Sequence, residues 1–196
     1  MRNASFVSAP QLKRDPLGSV HMLMLLRHLL AIAILPFSVT VLVPLWIAGR
    51  YGIAPTLGTS NGALLVQSGG LVVLGIGLLL FLSSLRRFAA EGRGTLAPWD
   101  PPRQLVVRGP YRFVRNPMIS GVVFILVGEA MLLTSRPHAL WALTFLGINL
   151  VYIPLLEEPM LRLRFGKAYV EYSKHVPRIF PRIRPWSVSG GDEDAA

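Results

Sequence analysis

The chain has 196 residues, of which 52% are hydrophobic and only 15% charged, with a formal net charge of +10 and no cysteine. That is too apolar for a soluble domain of this size to hide in one core, so lipid must cover much of the surface. Disulfides, thiolate nucleophiles and thiolate metal sites are excluded, and nucleic acid is set aside because the basic residues flank apolar segments instead of forming a basic soluble domain.

Residues 1–22 mix Pro, Ser and charge without periodicity and read as a disordered tail. Four blocks almost free of charge follow, at 29–48, 63–82, 119–134 and 139–156. Each is close to one bilayer crossing, and helices are the default there because lipid offers the backbone no partner. A soluble four-helix bundle is set aside because no block shows a polar face. The first block is longer than a secretory signal core and begins after more than twenty residues, so it reads as retained. Pro36 and Pro44 are expected to bend it. In the second block Gly69, Gly70, Gly75 and Gly77 stand at helix-packing spacing, and packing explains them. Arg50 and Arg136 are alone among the 20 Lys and Arg residues in lying in the two short loops between paired spans. By the positive-inside rule those loops face outward, whereas both termini and the middle loop face the cytoplasm.

The expected fold is therefore all-α, a multi-pass transmembrane bundle of about four spans. A cytoplasmic interfacial C-terminal helix completes one membrane-embedded domain over 23–186, and the acidic, Gly-rich end at 187–196 reads as a second disordered tail.

The middle loop ends in Gly109-Pro110-Tyr111-Arg112-Phe113-Val114-Arg115-Asn116-Pro117-Met118. Gly109-Pro110 is a turn signal, and Asn116-Pro117 reads as an N-cap followed by Pro at the first helical position. A helix starting there, at the cytoplasmic membrane face, offers its free amides and dipole to an anion, with Arg112 and Arg115 adding charge. Arg86, Arg87, Arg93 and Arg103 read as headgroup anchors, whereas Arg115, beside the cap, reads as functional.

Glu129 lies inside the third span, where an ionisable group is expensive, and Asn149 in the fourth is its candidate hydrogen-bond partner. The fourth span ends in Glu157-Glu158-Pro159, at the same membrane depth as Asn116. Either one carboxylate takes the cationic part of a ligand while the helix start takes the anionic part, or both are solvated residues ending a span. Beyond Pro159, Leu161, Phe165, Tyr169 and Tyr172 recur at helical spacing among Arg162, Arg164 and Lys167, as in an interfacial helix. Val176-Pro177-Arg178-Ile179-Phe180-Pro181-Arg182 then breaks that helix and is placed to fold back as a lid. Aromatic rings here either hold an adenine or sit in the headgroup belt. His28, His138 and His175 show no ligand spacing, so no metal site is expected.

The run at 109–118 resembles a signature of the isoprenylcysteine carboxyl methyltransferase and phospholipid methyltransferase superfamily. Glu157-Glu158, Leu161, Phe165-Gly166, Tyr169, Tyr172 and Val176-Pro177-Arg178 resemble its C-terminal motif. The resemblance covers about residues 105–185 and implies an enzyme that binds S-adenosylmethionine from the cytoplasm and methylates a lipophilic acceptor reaching it through membrane lipid. It implies that Arg115 and the helix start over Asn116, Pro117 and Gly121 meet the cofactor carboxylate. Glu157 or Glu158 would meet its amino group, and Tyr169, Tyr172, Pro177 and Arg178 its adenine. Arg115, Asn116 and Glu158 are the candidate catalytic residues. The superfamily often has His at the position of Asn116 and Tyr at that of Ile119, so a mechanism needing a His base does not carry over. No side chain is an obvious base, which favours an acid or thiol acceptor over an ammonium. The rival readings are a membrane reductase of a sterol-like or polyprenyl substrate using NADPH, and a non-enzymatic lipid-binding protein.

Overall fold

The computed structural model describes residues 33–91 and 105–187. The expectations for residues 1–22 and 188–196, for His28, and for Arg93 and Arg103 of the middle loop lie outside these residues.

The first apolar segment opens with a π-helical stretch, Ala33–Leu42, that contains Pro36, and continues as α1, Val43–Tyr51, with Pro44 in its first turn. A proline inside a helix has no N–H to give to the preceding turn, and the widened π geometry coincides with Pro36. Gly52, in the left-handed region at φ 62°, ends α1. The next helix, α2, runs over Asn61–Glu91. It starts where Ser60 Oγ accepts from the Ala63 amide at 3.1 Å, a side-chain cap of the first turn. It also extends well past the apolar block read from the sequence, carrying Arg86 and Arg87 on its last turns.

A short 3-10 turn, Gly109–Arg112, precedes α3, Pro117–Leu132. After a tight turn with Thr134 at φ 46°, Ser135 caps α4, Arg136–Tyr152, by accepting from the His138 amide. From α4 the chain passes through a π-helical segment, Ile153–Glu157, into α5, Glu158–His175. Arg136–His175 is thus one long helical path, and Pro159 stands at the re-start of its α-helical geometry. The direction changes further on, at Gly166 (φ 54°, ψ −131°), a backbone conformation open essentially only to glycine.

The most extensive helix pairing is α2 against α3, held by two reciprocal glycine pairs. A Cβ built on Gly77 would sit 2.7 Å from the Ile125 nitrogen and 2.8 Å from the Gly121 carbonyl, and one on Gly121 would meet Phe81 and the Gly77 carbonyl. Gly70 and Gly128 repeat the arrangement one heptad along. In lipid the hydrophobic effect does not drive helices together, so this backbone approach supplies much of the attraction. Gly75, by contrast, has nothing within 4 Å, and Gly69 meets only the tip of Met131.

The structure is an all-helical bundle among the described residues, and two of its helices are long and apolar enough to cross a membrane: residues 61–87 of α2 and the path from Arg136. Their outer faces are uncovered, with Leu65 74%, Leu79 71% and Leu143 63% exposed. A contiguous exposed apolar surface of this extent suits lipid and not water.

Candidate functional site

Gly109 takes the left-handed conformation (φ 57°), and the Arg87 side chain of α2 packs against its Cα. The chain then rises through the buried residues Tyr111 and Val114 to the start of α3 at Pro117, the expected first helical position. Asn116 occupies the N-cap position, but its side chain does not cap. Its Nδ2 instead donates to the Arg178 carbonyl at 3.2 Å, which also accepts the Asn116 backbone N–H.

The reason is the C-terminal segment, which folds back as a strap along residues 112–120. The Arg115 amide donates to the Pro177 carbonyl at 2.8 Å, Ser120 Oγ to the Ile179 carbonyl, the Arg182 amide to the Phe113 carbonyl, and the Trp186 amide to the Arg112 carbonyl. Arg112 itself donates through Nε to the Trp186 carbonyl at 2.7 Å, so its charge serves the strap. Trp186 stacks on His175 and packs against Tyr172. Nothing in the motif reading pointed to Trp186. Its aromatic character near the end of the strap was the available signal.

The strap brings three candidate residues into one cluster. Glu158, 3% exposed, accepts from Arg178 Nε at 2.5 Å and faces Arg115 Nη1 at 3.0 Å, with the exposed Arg162 at 3.8 Å. Burial alone would raise the Glu158 carboxyl. The Arg178 hydrogen bond and the charges of Arg115, Arg178 and Arg162 outweigh it and hold the group below the ordinary carboxylate value. The same hydrogen bond raises the Arg178 guanidinium further, against a smaller opposing effect of burial. Arg115 Nε is buried with no hydrogen-bond partner, an unpaired donor beside a fixed carboxylate. Glu157, half-buried next to this cluster, makes no hydrogen bond or ion pair with the described residues. Burial and the Glu158 charge push its carboxyl up to about 7, while Arg115 pulls it back.

Tyr169 and Tyr172, each 2% exposed, form a core with Val176, their rings meeting edge-on at 6.3 Å. Tyr172 donates its hydroxyl to the Tyr111 carbonyl at 2.6 Å, which locks α5 to the Gly109 turn. The Tyr169 hydroxyl accepts a hydrogen bond from Arg115, so this ring reaches the charged cluster. Gly121 faces α2, with its Cα against Phe81 and Gly77.

The expected Glu129–Asn149 pair is not formed. Asn149 donates to the Phe145 carbonyl of its own helix at 2.8 Å, and Glu129 Oε2 is buried without a partner. The helices are antiparallel about the 133–135 turn. At ~1.5 Å rise per residue, Glu129 lies about 6 Å from that turn and Asn149 about 20 Å, at different depths.

A sequence model of the phospholipid methyltransferase family matches residues 65–168, more than half of the chain. The match runs from α2 through the α3–α4 hairpin and the Glu157-Glu158 pair to just past the middle of α5. Comparison with curated proteins and with solved structures finds no match.

Proposed function

The chain belongs to the phospholipid methyltransferase family, a family of membrane methyltransferases, and on that premise we propose that it transfers a methyl group from S-adenosylmethionine to a lipophilic acceptor at the cytoplasmic membrane face. The observation that carries the proposal is the Arg115–Glu158–Arg178 cluster with the unpaired Arg115 Nε. An amino-acid moiety presents one carboxylate and one ammonium about a single carbon, and a buried guanidinium beside carboxylates matches both charges. In this reading Arg115 takes the carboxylate, Glu157 and Glu158 receive the ammonium, and Asn116 and Pro117 fix the start of α3. Tyr169, Tyr172, Pro177 and Arg178 form the wall for the adenine, and Gly121 acts one step away, through the packing that sets the depth of that helix start.

When bound, S-adenosylmethionine supplies an electrophilic methyl group for in-line displacement. The protein's work is then to align donor and acceptor and keep water out, with no covalent enzyme intermediate. A carboxylate or thiolate acceptor arrives ionised and is oriented by a guanidinium. The acceptor enters from lipid along the bundle, and the proposed topology is multi-pass, with the Arg50 and Arg136 loops opposite the cluster.

The test is calorimetric binding of S-adenosylhomocysteine to purified protein, with Glu158→Gln and Arg115→Ala measured alongside and checked for folding. Affinity lost in both folded variants supports the proposal. No binding by folded wild type, in lipid as well as detergent, overturns it, and binding of NADPH instead would install the reductase reading.

A further inference from the structure

At the end of the bundle away from Glu158, a cavity of about 640 Å³ opens between the first span and the α2–α4 helices. Its walls are mostly apolar, and it includes Pro44, Ala48, Leu132 and the side chain of Glu129. The other polar side chains around it are almost all committed. Gln67 donates to the Thr56 and Leu132 carbonyls and accepts from the Gly58 amide. His138 is engaged at both ring nitrogens, by Ser135 Oγ at 2.7 Å and by the Pro44 carbonyl at 3.2 Å. Thr40 donates to the Pro36 carbonyl, and Thr56 is exposed. Glu129 differs, because no hydrogen bond or ion pair from the described residues reaches its carboxyl group, and Oε2 is sealed from solvent.

A carboxyl group at membrane depth without a partner is costly and marks a functional position. An apolar cavity with one convergent polar group is the ordinary form of a small-molecule site. We propose that this cavity binds an amphiphile with a primary ammonium head, its N–H groups donating to Glu129 and its alkyl chain lying on the apolar walls. The site is separate from the methyl-transfer reading: Glu129 lies about 18 Å along α3 from Pro117 at ~1.5 Å per residue, and the proposal stands whether or not S-adenosylmethionine binds.

Decylamine is the probe, with decanol as the control for chain partitioning. Both are titrated into detergent-purified full chain and bound ligand is counted by native mass spectrometry. Wild type, Glu129→Gln and Ala48→Phe are compared after a thermal-unfolding check. The expected result is retention of decylamine by wild type, about tenfold weaker retention by Glu129→Gln, and weaker retention of both probes by Ala48→Phe, which takes up part of the cavity while keeping the carboxyl. Equal decylamine binding by wild type and Glu129→Gln overturns the proposal, as does undiminished retention of decylamine by folded Ala48→Phe or its absence from folded wild type. None of these outcomes depends on S-adenosylhomocysteine binding, so failure here is distinct from failure of the methyltransferase reading.

Discussion

Arg115 and Glu158 approach to 3.0 Å across the open end of the α3–α4 hairpin, although they stand at opposite ends of that hairpin in the chain. Arg115 precedes α3 and Glu158 opens α5, so their contact closes the hairpin, and Arg178 on the strap completes the closure. A buried ion pair is weak evidence of stability in itself, because desolvation offsets much of its attraction, but removing one partner strands the other charge.

Glu158→Gln is therefore expected to destabilise the fold by about 3 kcal/mol, since it leaves the 10%-exposed Arg115 without its nearest carboxylate. Arg115→Ala is milder, because Arg178 and Arg162 still neutralise Glu158. Denaturation in detergent, with both variants beside wild type, measures the order. An Arg115→Ala protein less stable than Glu158→Gln would show that the cluster does not work in this way.

The two adjacent glutamates predict opposite responses to pH. The Glu158 carboxyl is held below its ordinary value of 4.5, so its stabilising contribution is present above 4.5 and is lost as pH falls through the lower, folded value. The Glu157 carboxyl is raised to about 7, so folding binds an extra proton between 4.5 and 7, and its contribution weakens stability as pH rises through that window. A ligand ammonium prefers the ionised form. S-adenosylhomocysteine affinity should therefore rise with pH across about 7 in wild type and be flat there in Glu157→Gln. Isothermal titration at several pH values reads this directly, and a slope of the opposite sign would assign Glu157 another role.

Tyr172→Phe removes the hydrogen bond to the Tyr111 carbonyl and leaves that buried acceptor unpaired, a loss of about 1–3 kcal/mol. Tyr172 belongs to the core that holds the strap, so hydrogen exchange of the Arg115, Arg182 and Trp186 amides should quicken more than that of α2. Uniform acceleration across the chain would mean that the strap does not open as a separate unit.

The apolar blocks, the helix start at Pro117 and the fold-back after Val176 were legible in the sequence because each rests on a local signal: hydropathy, proline position, a helix break. What could not be read were facts of register. Asn116 looks like a cap because of its neighbour Pro117, yet the strap claims its side chain through a pairing that no local pattern encodes. Glu129 and Asn149 looked complementary as the polar residues of adjacent spans, but the antiparallel turn sets them at different depths. Gly121 was assigned to the cofactor through its motif, whereas its tightest contacts are to Gly77 and Phe81, and Gly77 gained meaning only once that partner was known.

The glycine pairs give the most direct check on that register. Gly77→Leu and Gly121→Leu each drive a side chain into facing backbone less than 3 Å from the new Cβ, where relaxation requires the helices to part. Each is expected to cost about 3 kcal/mol or more, at or beyond the upper end of overpacking. Gly75→Leu lies on the same helix in open space and exchanges glycine for a better helix former, so it should be neutral or stabilising by up to about 1 kcal/mol. Thermal unfolding of the three variants in one detergent separates the effect of position from that of residue type. If Gly75→Leu proved as damaging as Gly77→Leu, the α2–α3 contact would lie on a different face of α2. The two helix starts would then be set at another depth, and the Arg115–Glu158 closure with them.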